Sequence, residues 1–260
     1  MSTSAVTATT AAFVVVYMLG FWVVSLVRRD ASLVDIGWGP GFAGVALVAF
    51  LCAGGWSGRR WLVLALTAVW GLRLGAYLFW RNYGQPEDYR YQAMRRHHGE
   101  RFPWVSLYTV FGLQGLLMWT VSMPIQWSQL APEPARFTAL DFAGILLWTI
   151  GIIFEATSDA QLARFKADPA NLGQVLDRGL WRYTRHPNYF GDFCVWWGLY
   201  CIALATPGSA WTAIGPAVMS FFLMRVSGVP MLERKMAKRR PGYVEYVRRT
   251  NAFFPGPPRK

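Results

Sequence analysis

The chain has 260 residues, of which 54% are hydrophobic, 16% aromatic and 15% charged, with a formal net charge of +12. Soluble domains carry about 25% charged residues, so the composition excludes an ordinary water-soluble domain and points to a bilayer as solvent. The positive excess would also suit nucleic acid, but its distribution along the chain assigns it elsewhere.

In chain order, residues 1–27, 36–58, 102–132 and 193–224 contain no Asp, Glu, Lys or Arg. A helix of about 20 apolar residues spans the ~30 Å hydrocarbon layer. The pattern predicts an all-α integral membrane protein with about seven transmembrane helices, over roughly 11–27, 40–56, 61–80, 104–127, 138–156, 189–206 and 209–225. TPGS at 206–209 is a turn signal that divides the last uncharged run into two short spans. The first stretch lacks a basic n-region and a small-residue cleavage site before Arg28 and Arg29, so it reads as a span rather than a signal peptide.

Of the 26 Lys and Arg residues, 22 fall in segments 28–39, 81–103, 157–188 and 225–260, while Arg59, Arg60 and Arg136 fall on the opposite side and Arg73 within a helix. The positive-inside rule then puts the N-terminus outside and the C-terminus in the cytoplasm. Topology and contact with anionic membrane lipid account for the charge, and no nucleic acid is implied. Cys52, Cys194 and Cys201 lie in apolar spans without metal-ligand spacing and read as small hydrophobes.

Gly39-Pro40-Gly41-Phe42-Ala43-Gly44 spells the dinucleotide fingerprint, but it opens a membrane helix rather than following a strand. Close helix packing through small residues is the expectation there. Asp35 sits at the mouth of the second helix, where a carboxylate near membrane depth costs about 2.5–3.5 kcal/mol. It is a candidate functional acid, or else an N-cap or a partner for a nearby arginine. Arg73, inside the third helix, either snorkels or faces the interior to hold an anion or Asp35.

The polar segment 81–102 is dense in aromatic rings and imidazoles, and His97 and His98 read as loop residues. Gln114 of GLQG (112–115) is an amide in an uncharged run, which needs an interhelical partner or a ligand. Asp159 and Lys166 are two helical turns apart and share a face if the fifth helix continues past the membrane. Asn188 and Asp192 share a face four residues apart, on a helix expected to begin at Asn188 or Tyr189. Together these loops describe a basic, aromatic-lined cup suited to a large anionic cofactor.

GLWRYTRHPNYFGDF (179–193), followed by Arg225, the Y-x-x-Y of Tyr243 and Tyr246 and a terminal FFP, resembles the C-terminal domain of the steroid 5-alpha-reductase superfamily. The resemblance extends over about residues 32–258, and the chain is more specifically similar to bacterial membrane proteins of that superfamily with a domain of unassigned function. The R-H-P-N-Y-F-G core is also similar to the R-H-P-x-Y-x-G of isoprenylcysteine and phospholipid methyltransferases, which bind S-adenosylmethionine. GLQG and RNYGQP (81–86) resemble segments of the reductase branch.

The resemblance implies one transmembrane domain, 1–260, with a cofactor-binding half from about 140 to 260 that faces the cytoplasm of a bacterial inner membrane. It implies NADPH as cofactor, with Asn188 and Asp192 as contacts, Asp159 and Lys166 near the nucleotide and Arg225 near the phosphates. Arg81 and Asn82 match a polar pair, Gln114 the glutamine of its segment, and Arg73, His186, Tyr189 and Tyr246 complete the cofactor set. The implied reaction is reduction of a lipophilic steroid-, sterol- or isoprenoid-like enone drawn from the bilayer.

The steroid enzymes polarise their ketone with a Gln-Glu pair and a tyrosine. Here Val34-Asp35 and Trp70 stand near those places. Asp35 is the expected substrate-side acid, with Tyr77 as reserve donor. The alternatives are an S-adenosylmethionine-dependent methyltransferase of a lipid or prenylated thiol, and a non-enzymatic lipid-binding factor.

Overall fold

The computed structural model describes residues 1–226, 233, 240 and 242–259. Among them all regular secondary structure is helical. The main helices are α1 (Thr3–Arg28), α2 (Leu33–Cys52), α3 (Ser57–Asn82), α4 (Tyr89–His98), α5 (Phe102–Ser106), α6 (Leu113–Val121), α7 (Met123–Trp127), α8 (Ala139–Ala167), α9 (Pro187–Leu204), α10 (Ile214–Phe221) and α11 (Tyr243–Arg249). π-helical turns, Leu107–Gly112 and Phe222–Val226, join α5 to α6 and extend α10.

Among the described residues five helical stretches are long and apolar enough to cross a membrane: Thr3–Arg28, Leu33–Cys52, Ser57–Asn82, Tyr89–Val121 and Ala139–Ala167. Ala210–Val226 is shorter, and α9 opens on the polar Pro187–Asp192 stretch. Of the seven expected spans these measures single out five: α9 falls short through its polar first turns and Ala210–Val226 through its length.

The chain divides into two compact units. Unit 1 is Met1–Thr138 with Ile202–Gly215, and unit 2 is Ala139–Cys201 with Pro216–Lys260.

In unit 1 the fingerprint-like glycines pack helices. A Cβ on Gly39 would meet the Gly71 carbonyl oxygen at 2.3 Å, and one on Gly71 would meet that of Gly39 at the same distance. Only glycine lets the α2 and α3 backbones approach so closely. Phe42 and Trp70 then meet edge to face at 5.8 Å, and Trp70 is fully buried. Arg59 and Arg60, expected in a connecting segment, instead start α3. Arg59 is fully buried and its Nη2 donates to the Arg136 carbonyl at 3.2 Å.

The polar segment 81–102 is largely helical, which the sequence reading missed. Asp88 caps α4 by accepting the Arg90 N–H at 2.9 Å, and four basic residues, His97 and His98 among them, occupy the last turn. An acidic cap and a basic end complement the helix dipole.

Unit 2 is built on α8 and α9. A Cβ on Gly191 would meet the Gly151 carbonyl oxygen at 2.6 Å, and one on Gly198 the Trp148 nitrogen at 2.7 Å. α8 runs on past the expected end near 156 to Ala167. α9 starts at Pro187, one residue earlier than expected. Proline suits the first helical position because that N–H needs no partner, and the Phe190 N–H bonds the His186 carbonyl at 3.0 Å.

Candidate functional site

Unit 1 gathers its polar residues where α2 begins. Arg90 Nη2 donates to Asp35 Oδ2 at 2.8 Å, and the Tyr91 hydroxyl donates to Asp35 Oδ1 at 2.8 Å. Gln114 Nε2 donates to the Tyr91 oxygen at 3.2 Å. Arg90 is itself aimed by Asp88, whose Oδ1 accepts its Nε at 2.9 Å. The chain of contacts thus links α2, α4 and α6 through a carboxylate, a guanidinium, a phenol and an amide.

α4 is fixed in place by Glu87. Its carboxylate accepts the Ala31 N–H at 2.8 Å and both Arg95 Nη2 at 2.8 Å and Nε at 3.1 Å. A fork held by both nitrogens specifies geometry as well as charge. Beside this junction lies a polar cavity of about 340 Å³, lined in part by Asp30, Ser32, Asn82, Gln85 and Glu87. An apolar groove of about 320 Å³ runs along Val14, Met18, Leu107, Phe111, Gly115 and Trp119.

The structure therefore brings Asp35 and Gln114 into one network and adds two residues that the sequence reading passed over, Arg90 and Tyr91. The cation on Asp35 is Arg90 rather than the expected Arg73, which lies half-buried in α3. Tyr77 is elsewhere on α3, with the Arg81 guanidinium 5.8 Å over its ring. Arg81 is exposed and donates through Nε to Asn82 Oδ1 at 3.2 Å. The missed signal was Asp88 two residues before Arg90: an N-cap announces a helix, and a helix is what carries Arg90 and Tyr91 inward.

Unit 2 has a second network. Arg185 Nε donates to Glu233 Oε1 at 2.7 Å, and His186 Nε2 lies 3.2 Å from the same oxygen. Arg185 Nη1 also donates to the carbonyls of Thr250 at 2.6 Å and Val247 at 3.2 Å. Thr184 Oγ1 donates to the Phe253 carbonyl at 2.7 Å, and the Tyr246 hydroxyl to the Trp181 carbonyl at 2.5 Å. Burial pulls the Glu233 carboxyl up, but hydrogen bonds from His186 and Arg185, with the Arg185 charge, outweigh it and hold the group below the ordinary glutamate range.

These bonds change the roles expected from the sequence. His186 and Tyr246 are buried; the His186 ring meets Glu233, and the Tyr246 hydroxyl ties α11 to the Trp181 carbonyl. Arg185, one of the basic residues of segment 157–188, has a side chain only 9% exposed and is the centre of this brace. Tyr189 stacks on His186 at 5.5 Å with the rings 5° from parallel.

Asn188 and Asp192 are half-buried in the first turns of α9, and Asn188 Oδ1 accepts the Tyr189 N–H at 3.1 Å. Asp159 and Lys166 both lie on α8, yet Asp159 is buried while Lys166 is exposed in the last turn. Arg225 is exposed at the end of the α10 extension. The basic stretch 233–240 lies, apart from Glu233 and Arg240, outside the described residues. The polar side chains Asn188 and Asp192 and the exposed cations Lys166 and Arg225 are groups that suit a nucleotide.

Among the described residues the fold is all-helical, with five helices long and apolar enough to cross a membrane and polar clusters at helix ends. Residues 21–250 match the family described as protein of unknown function (DUF1295), and the chain belongs to that family. It is 26% identical over 277 residues to an uncharacterized protein of Schizosaccharomyces pombe, covering 94% of this chain and 79% of that protein. No solved structure matches.

Proposed function

We propose that the protein is an NADPH-dependent membrane reductase of a lipophilic enone or related C=C substrate, of steroid, sterol or isoprenoid type. The observation that carries this reading is the Asp35–Tyr91 pair, a phenol bonded to a carboxylate at 2.8 Å at the start of an apolar helix. A substrate carbonyl needs such a donor, and the Trp70 indole is packed in the core. Tyr91 takes over the acid role first expected of Asp35. Asp35, ionised against Arg90, orients the phenol; in the reaction the hydroxyl turns its one proton from Asp35 to the substrate carbonyl, and water restores it. Gln114 fixes the phenolic oxygen from the other side.

When bound, NADPH supplies the hydride that adds to the β-carbon of the enone, and the proton completing the reduction comes from Tyr91 or water. Lys166 and Arg225 are the cations for its phosphates, with Asn188 and Asp192 as polar contacts. The apolar groove by α1 and α6 supports a lipophilic ligand. The charge distribution supports the full topology of this reading: seven crossings, the N-terminus outside and the cofactor face on the cytoplasmic side of a bacterial inner membrane.

The test is a thermal-shift titration of the purified protein in detergent with NADPH and, separately, S-adenosylmethionine. The expected result is stabilisation by NADPH that Lys166→Ala and Arg225→Ala strongly weaken. A clear shift with S-adenosylmethionine and none with NADPH would overturn the reading in favour of a methyltransferase. No shift with either, together with an unchanged lipid profile in cells carrying Asn188→Ala, would favour a non-enzymatic lipid-binding factor.

A further inference from the structure

Unit 2 holds a cavity of about 410 Å³ whose wall includes Arg178, Arg182, Arg249 and Arg259, with Asp177 and Thr250 beside them. Four guanidiniums and one carboxylate leave three positive charges in one small space. Arginine cannot relieve this by losing a proton. Asp177 is already engaged, its Oδ2 3.4 Å from Arg249 Nη2, and Arg249 is further shared with Glu245 at 3.7 Å. Arg259 Nη2 donates to Asn251 Oδ1 at 3.3 Å, and the Arg178 guanidinium rests 5.7 Å over the Phe165 ring. Among the described residues neither Arg178 nor Arg182 is ion-paired.

The walls are fixed before any ligand arrives. Gly179 has φ of +62°, a conformation open to glycine at little strain, and it turns the chain into the short helix Gly179–Arg182. Gln161 of α8 accepts the Leu180 N–H at 3.0 Å, and Trp181 Nε1 donates to the Ser158 carbonyl at 3.2 Å. On the other side, the Arg259 N–H bonds the Arg249 carbonyl at 2.8 Å and the Gly256 N–H bonds the Tyr183 carbonyl at 3.1 Å. Arg178 and Arg182 flank one wall, and Arg249 and Arg259 are clipped together on the other.

We propose that this cavity is a binding site for a phosphate ester. The planar fork of arginine matches phosphate oxygens two at a time, and like charges gathered on fixed backbone focus the field on an anion. The space extends beyond a lone phosphate and suits a group carried on a larger molecule, either a soluble nucleotide or the headgroup of an anionic lipid. Lys166 and Arg225, to which the reductase reading gives the NADPH phosphates, do not line the cavity. The site stands whether or not that reading does.

The experiment uses the full chain carrying Lys166→Ala and Arg225→Ala, so that the cations assigned to the cofactor contribute nothing. Pyrophosphate is titrated in phosphatidylcholine nanodiscs against chloride at matched ionic strength, with ADP as a second probe. Nanodiscs containing phosphatidylglycerol form the lipid arm. A saturable stabilisation is expected with at least one phosphate source, weakened about tenfold or more by Arg178→Gln with Arg182→Gln, since each removes a charge-assisted fork. A response to pyrophosphate and ADP assigns the ligand to soluble nucleotides, and one confined to phosphatidylglycerol assigns it to a lipid headgroup. Should the double variant not fold, Arg259→Gln at the exposed terminal segment replaces it. No saturable response to any source, or a response that these glutamines leave unchanged, would overturn the proposal.

Discussion

The two units each contain an arginine paired with a carboxylate, and the pairs are used differently. In unit 1 Arg90 gives its charged nitrogens to two acids, Asp35 and Asp88, and touches a phenol. In unit 2 Arg185 gives Nε to Glu233 and Nη1 to two backbone carbonyls. The first arrangement links side chains that can exchange protons. The second satisfies the open end of α11 and ties a distant loop to it. An ion pair that serves backbone carbonyls is architecture, whereas one that orients a phenol can serve chemistry.

That contrast can be broken experimentally, and the largest effect belongs to the brace. Arg185→Ala leaves the carbonyls of Val247 and Thr250 without its guanidinium and Glu233 with His186 alone, and should cost about 3 kcal/mol of stability. Chemical denaturation in detergent measures it, and a loss well under 1 kcal/mol would show that the brace is dispensable. On the proposed reaction, Tyr91→Phe and Asp35→Asn should each lower turnover about 100-fold, while stability changes by about 1 kcal/mol. NADPH oxidation with a lipophilic enone reads the first and thermal unfolding the second. If stability falls as steeply as for Arg185→Ala, both clusters are architectural and the distinction fails.

A smaller effect is expected from pH. The folded Glu233 is held below its ordinary range, so its contribution is full above the unfolded glutamate value, about 4.3, and disappears as pH falls through the lowered folded value. Unfolding curves collected between pH 6 and about 3 should therefore show stability declining toward acid. Glu233→Gln should flatten that slope, and an unchanged slope would place the acid sensitivity elsewhere. Smallest of all, Arg90→Lys keeps a charge beside a partly exposed pair and should cost about 0.5–1 kcal/mol. Its effect on turnover would be the larger, because lysine cannot serve Asp35 and Asp88 together from a planar fork.

The sequence by itself determined the solvent and the helical class. Long uncharged runs can be satisfied in a bilayer only by helices that bond their own backbone or by closed barrels, and the length of those runs selects helices. It also exposed the false fingerprint at Gly39, since small residues opening an apolar helix serve packing. Tertiary structure alone decided which cation meets Asp35, because Arg73 and Arg90 are equally basic in sequence and only the path of α4 after Asp88 brings one of them near. It likewise decided that His186 and Tyr246 face inward, through bonds to Glu233 and Trp181 that lie 47 and 65 residues away. Patterns of hydrophobicity are local and survive in the sequence; the partners of a buried charge are set by which distant segments the packing brings together.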